Sequence, residues 1–183
     1  MIDPLAGRLI ATAFALLWLL AAWHKVSAGE RFVATLAEYR LLPATLTRPV
    51  ARLLPFAEAA LGLGWITGLA PGWIASLTAG LLGAYALAIA VNLGRGRVHI
   101  GCGCGLGAAT GNDPSLSWWL VGRNLALGAV AMVAVLPPSQ RELGLLDGLT
   151  LVFALLASVA LYSGASQLLR NGAAIASWRQ SRD

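Results

Sequence analysis

Charge is scarce in this chain. Of its 183 residues, 11% are charged and 58% are apolar, against about 25% and roughly 45–50% in an ordinary soluble domain. The few charges collect between long apolar runs, which excludes a water-soluble packing. Other shortages exclude whole function classes. The net charge of +5 comes without a basic stripe interleaved with aromatics, so nucleic acid is not an expected partner, and positive loops against an anionic leaflet account for the sign. Residues 1–7 hold no basic cluster and the first apolar run outlasts a signal h-region, so no cleaved leader is expected. No Gly-Lys-Ser/Thr follows the glycine-rich stretch, which removes a phosphate cradle. Ser115, Ser117 and His99 lack the setting of a nucleophile elbow, which removes hydrolysis.

What the chain has in abundance is apolar helix. Residues 9–26, 50–69, 73–93, 118–136 and 146–169 each approach the roughly 20 apolar residues that cross a bilayer. The sequence therefore predicts an all-α integral membrane protein, a single domain over residues 1–183 with about five transmembrane helices in a bundle. Between the first two spans, Glu30 to Leu42 is too short and too charged to cross. Its Phe32, Val33, Leu36 and Tyr39 recur at helical spacing, which predicts an interfacial amphipathic helix, ended by Leu42-Pro43. The second span is interrupted early by Pro55 and carries Glu58, and the turn Ala70-Pro71-Gly72 reverses the chain into the third. Ser115 or Ser117 is the expected N-cap of the fourth, which contains Arg123 and stops at Pro137-Pro138. Small residues such as Ala59-Ala60-Leu61-Gly62-Leu63-Gly64 let helix backbones approach closely. The tryptophans fall mostly towards span ends, where anchoring is their default role.

Residues 94–117 read GRGRVHIGCGCGLGAATGNDPSLS, a loop too polar to pack in lipid. It carries both cysteines of the chain, Cys102 and Cys104, separated by one glycine and flanked by Gly101 and Gly105. A Cys-x-Cys bridge needs the two β-carbons within about 4 Å; the central glycine permits that bend, and the tight bridge has an oxidising potential. Arg95, Arg97 and His99 just upstream supply the positive surroundings that raise a thiolate fraction. Thiol–disulfide exchange is the favoured chemistry. The competing reading is soft-metal capture by His99, Cys102 and Cys104, suited to Cu(I) or zinc. A structural zinc site would need a fourth ligand that is not evident, and the spans lack the Met and Cys ligands of a copper path. A non-catalytic membrane scaffold for a redox partner is the third reading.

Because consecutive spans run in opposite directions, His24, Lys25, Glu58, Asn92, Arg123 and the cysteine loop are expected at one membrane face. A lone ion at such depth costs several kcal/mol, so Glu58 and Arg123 are the expected pair, either fixing helix register or serving the site. Lys25 and His24 are read as interfacial snorkelling groups. The same face holds Lys25, Arg31, Arg40, Arg48, Arg52, Arg95 and Arg97, and the basic tail adds Arg170, Arg179 and Arg182, against Arg8 and Arg141 opposite. The positive-inside bias then sets the cysteine loop in the cytoplasm.

These residues carry a family resemblance over most of the chain. Lys25 and Gly29, Tyr39-Arg40-Leu41-Leu42-Pro43, Leu54-Pro55-Phe56-Ala57-Glu58, Cys102-Gly103-Cys104 and Arg123-Asn124, in that order, resemble the MauE (methylamine utilisation) branch of the DoxX-like membrane proteins. One departure stands out: the family pattern continues Cys-Gly-Cys-Phe-Gly, and here Gly105-Leu106-Gly107 follows, without the aromatic. The resemblance implies a redox-associated protein of the bacterial inner membrane. Its partner would be a thioredoxin-like membrane or periplasmic protein, and the pair would make or isomerise disulfides of exported proteins, methylamine dehydrogenase's small subunit among them. DoxX relatives imply coupling to quinone; no other cofactor and no bound metal is expected. Disulfide maturation occurs outside the cytoplasm, opposite to the charge bias. Either the faces are reversed, or reducing equivalents received inside are passed outward through the bundle.

Overall fold

A computed structural model describes residues 1–98, 100, 116–137, 139, 141, 142, 144–157, 160 and 164. Those residues are helical throughout their ordered elements, and they fall into two compact units, residues 1–140 and 141–183.

The first unit holds five helices: α1 Pro4–Ala28, α2 Glu30–Glu38, α3 Ala44–Thr67, α4 Pro71–Gly94 and α5 Trp118–Val133. Three of them, α1, α3 and α4, are long and apolar enough to cross a membrane; at 24 or 25 residues each reaches about 36–38 Å, more than the roughly 30 Å hydrocarbon core. The shorter α5 is apolar as well. In the second unit an apolar helix, α6, runs Leu145–Ala157, and Asp147 caps it by accepting from the Gly144 amide at 2.8 Å while pairing with Arg141. The remainder of the expected fifth span, residues 158–169, lies outside the described residues save Ala160 and Gly164.

Local chemistry sets each boundary. Asp3 caps α1 by accepting from the Leu5 amide at 2.8 Å, with Pro4 at the first helical position, where its missing donor costs nothing. Gly29 ends α1 and begins α2 at φ +51°, a conformation that a side chain would strain. The amphipathic helix presents Phe32 and Tyr39 inward, with Val33 and Leu36 half-buried, so the expected face is the buried one. The helix stops at Glu38, however, four residues short of Leu42, with Tyr39 as its C-cap. Pro43 instead precedes α3, which begins at Ala44 and includes both Pro49 and Pro55. Hydropathy puts that start at residue 50, after Arg48 and Pro49, yet arginine is a good helix former and the helix begins six residues before the apolar stretch. Ser117 is the N-cap residue of α5, though its side chain makes no capping bond; Ser115 lies outside the described residues.

The four long helices of this unit form a bundle in the cyclic order α1, α3, α4, α5. Neighbours are antiparallel, so α1 faces α4 across one diagonal and α3 faces α5 across the other. The start of α1 is tied to the chain beyond α5 by Ile2 N donating to Pro137 O at 3.0 Å and Ser139 N to Ile2 O at 2.8 Å. Phe14, Ala15, Trp18, Leu61, Trp65, Ala75, Leu82 and Ala131 form one core cluster, with Phe14 stacked on Trp65 at 5.2 Å. Two tryptophans therefore depart from the anchoring role. Trp18 and Trp65 are buried, and both donate their indole N–H to the Thr78 hydroxyl, at 3.3 and 2.9 Å. Trp23, Trp73, Trp118 and Trp119 are exposed near helix ends, as an interfacial belt requires.

Glycine makes the α1–α3 contact close. A Cβ on Gly62 would lie 2.8 Å from Leu19 Cγ and 3.3 Å from the Ala15 carbonyl oxygen on α1, whereas one on Gly80 would meet nothing within 4 Å. Gly62→Leu should lower thermal stability in detergent by about 1–3 kcal/mol through overpacking. Gly80→Ala should leave it unchanged or raise it by up to about 1 kcal/mol.

Candidate functional site

The inward stripe of α1 comprises Phe14, Ala15, Trp18, Ala22 and Lys25; that of α3 includes Ala51, Pro55, Glu58, Leu61 and Trp65. Each stripe carries one ionisable side chain, and those two meet. Lys25 Nζ donates to Glu58 Oε1 at 2.6 Å, with the lysine 4% and the glutamate 0% exposed. From α4, Tyr85 Oη donates to the same oxygen at 2.6 Å. The ammonium also lies 5.5 Å from the ring centroids of Phe32 on α2 and Tyr85, within cation–π range. Four helices thus contribute to one buried ion cluster. Glu58 Oε1 carries both strong bonds, while Oε2 is buried with no hydrogen-bond partner. Lys25 sits in the last turn of α1, where the helix dipole favours a cation.

This arrangement corrects two expectations. Glu58 pairs with Lys25 and not with Arg123, because α3 and α5 occupy opposite corners of the bundle and their backbones do not come into contact among the described residues. Lys25 does not snorkel to the interface: its whole side chain points inward to a carboxylate. His24, one residue earlier and so turned by about 100°, is half-buried. Arg123 is half-buried on α5, next to the buried Asn124. His99, Cys102 and Cys104 lie outside the described residues.

The chain on either side of the cysteine segment is joined by a backbone hydrogen bond. Leu116 N donates to Val98 O at 3.0 Å, so the two ends of that segment are tied together. Ile100 and Leu116 pack with Tyr39, Ile89 and Leu120 in a second apolar cluster, which joins the end of α2 to α4 and α5. Polar groups lie beside it. Asn92, fully buried, spends its amide N–H on the Ala88 carbonyl at 3.0 Å and, among the described residues, leaves Oδ1 without a partner; one guanidinium nitrogen of Arg97 is likewise buried and unbonded among them. Arg97 N donates to Asn92 O at 3.0 Å, so this unsatisfied acceptor and donor belong to residues already joined through the backbone. Asn124 bonds the Leu120 carbonyl at 2.9 Å.

Sequence reading missed Tyr85 and Thr78 as site and core residues. The available signal was their spacing. Thr78, Tyr85 and Asn92 recur every seven residues in an otherwise apolar helix, which keeps all three on one face over about two turns each.

A bundle of apolar helices, three of them long enough to cross a bilayer, whose outward faces are mostly apolar and whose core holds a buried ion pair, is an integral membrane protein. Comparison gives the family. The model for methylamine utilisation protein MauE matches residues 4–137. The chain is 36% identical to the methylamine utilization protein MauE of Paracoccus denitrificans, over 92% of this chain and 89% of that protein. It is 37% identical to the one of Paracoccus versutus, over 91% and 88%, and 34% identical to that of Methylorubrum extorquens, over 74% and 72%. The chain belongs to the MauE family. No solved structure matches it.

Removing one member of a buried ion pair leaves the other uncompensated, at a cost of about 3–5 kcal/mol. Lys25→Met should therefore lower the unfolding midpoint in detergent strongly. The double variant Lys25→Met/Glu58→Leu should recover most of that loss, and Tyr85→Phe should cost about 1–3 kcal/mol as a bond to a charged group.

Proposed function

We propose that the chain is a membrane thiol–disulfide exchange protein serving methylamine utilisation, with Cys102 and Cys104 as its redox pair. One cysteine, as thiolate, attacks a disulfide of a thioredoxin-like partner. A mixed disulfide forms and one partner thiolate leaves. The second cysteine then attacks the mixed disulfide, so that the chain becomes oxidised and the partner leaves as a dithiol. In the reverse direction the same steps oxidise the partner.

The observation that carries this reading is the setting of the chain's two cysteines. They lie on a glycine-rich segment whose ends are joined by the Leu116–Val98 bond, with Ile100 anchored two residues before Cys102. Around that neck stand Arg97 and Asn92 with unsatisfied polar atoms; positive charge there favours thiolate. The names of the relatives supply the link to methylamine. Arg123, on the adjoining α5, and His24 support the same end of the bundle, and the Lys25–Glu58 pair holds its helices in register. A quinone, to which the resemblance implies coupling, needs a donor for its carbonyl; the single Tyr85 O–H is engaged by Glu58 Oε1, whereas the Lys25 ammonium gives only one of its three N–H groups to that oxygen.

The topology proposed is five spans in the bacterial inner membrane, formed by α1, α3, α4, α5 and the segment that begins with α6. The cysteine segment then shares its face with α2 and with the exposed Arg31, Arg40, Arg48, Arg52 and Arg95, which the positive-inside bias sets in the cytoplasm. A membrane-impermeant thiol reagent should label the cysteines only after permeabilisation. Labelling of intact cells would reverse the orientation and put the cysteines beside exported substrates.

Single alanine variants test the chemistry. In cells, one of Cys102→Ala and Cys104→Ala should accumulate a covalent mixed disulfide with the partner, reversed by reductant, and the double variant should not. A non-catalytic scaffold would trap nothing with either variant, and its partner's redox state would stay unchanged.

A further inference from the structure

On α3, the residues Arg48, Arg52, Phe56 and Leu63 follow one another at spacings of four, four and seven, which keeps them on one helical face. All are exposed, Phe56 at 72% and Leu63 at 56%. This strip faces away from the core formed by Ala51, Pro55, Glu58 and Leu61. It begins cationic, near the start of α3, and turns apolar towards the middle. From Arg52 to Leu63 the distance along the helix is about 16 Å, comparable with the depth of one leaflet of a roughly 30 Å hydrocarbon core.

A second observation fixes the charged end. Arg48 donates to Glu30 at 2.9 Å, binding the first turn of α2 to α3. That bond brings Arg31, next to Glu30 on α2, to the same neighbourhood as Arg52, one turn beyond Arg48 on α3. Arg31 and Arg52 are exposed and, among the described residues, their guanidinium groups take part in no ion pair or hydrogen bond. The Glu30–Arg48 pair neutralises itself and leaves two uncommitted guanidiniums on either side. A guanidinium presents paired donors suited to phosphate oxygens.

We infer that this surface binds an anionic phospholipid, its phosphate held between Arg31 and Arg52 and its acyl chain laid along Phe56 and Leu63. The ligand is a lipid and not an acidic protein segment, because the apolar half of the same strip lies directly below the arginines. A polar peptide would find no partners there. The site is separate from the buried ion cluster and from the cysteines, and it stands whether or not these carry out exchange.

The full chain, purified and reconstituted in vesicles of phosphatidylglycerol and phosphatidylcholine, should retain phosphatidylglycerol preferentially when its bound lipids are counted by native mass spectrometry. Arg31→Gln/Arg52→Gln should reduce that preference about fivefold or more, as expected from ~1 kcal/mol per arginine at an anionic surface, while Arg31→Lys/Arg52→Lys should keep most of it. Raising the salt to 0.5 M should weaken the wild-type preference through screening (about 0.5 M gives a Debye length near 4 Å), a measurement that needs no variant to fold. No preference in the wild type, an undiminished one in the glutamine variant, or one indifferent to salt would each overturn the proposal.

Discussion

The buried contact between Lys25 and Glu58 is the interaction on which the arrangement of this bundle depends. Two ions taken out of water and away from headgroups are costly apart, so α1 and α3 have one relative register in which both are satisfied. Tyr85 extends the constraint to α4 and Phe32 extends it to α2. Apolar packing alone would be permissive here, because lipid offers a leucine the same surroundings as a neighbouring helix does. The polar contacts supply the discrimination. Thr78 does the same nearer the middle, receiving indole protons from α1 and α3 on a single α4 hydroxyl.

From that register follows the position of everything at the α2 end. Lys25 is four residues before Gly29, whose backbone turns α1 into α2, so fixing the lysine fixes the point at which the amphipathic helix departs. Phe32 and Tyr39 then dock inward, Tyr39 against Ile89, Ile100 and Leu116. The neck of the cysteine segment is thereby joined to the ion cluster through α2 and α4. The two ends of that segment are thereby held on a rigid base.

Much of this was legible from sequence, and the failures have definite causes. Helix type and approximate position followed from hydropathy, since apolar runs of span length admit few other structures. The amphipathic face of α2 followed from the spacing of Phe32, Val33, Leu36 and Tyr39. The polar residues Lys25, Glu58 and Arg123 were found, but their pairing was not. Depth along two helices is one-dimensional information; whether two helices are neighbours or lie across a diagonal depends on packing order, and Glu58 and Arg123 fall on a diagonal. Lys25 was assigned to the interface because it stands near a helix end, although its spacing from Trp18 and Ala22 already placed it on the inward stripe. The start of α3 was missed because arginines in a first turn or two look like loop. Cys102, Cys104 and His99 stand out by their spacing in a glycine-rich stretch, and the described structure adds the bonded residues on either side of that stretch.

That neck uncouples the bundle from the length of the interval it closes. Once Val98 and Leu116 are hydrogen-bonded and Ile100 is seated, the bundle no longer registers how many residues lie between them. Closing a longer flexible stretch costs only about 0.6 kcal/mol for each doubling of its length. Insertions, deletions and replacements in this interval, such as Gly105 where the resemblance would place an aromatic, can therefore be accommodated while the helices stay as they are. The interval can vary in length and composition on a scaffold that has no need to change with it.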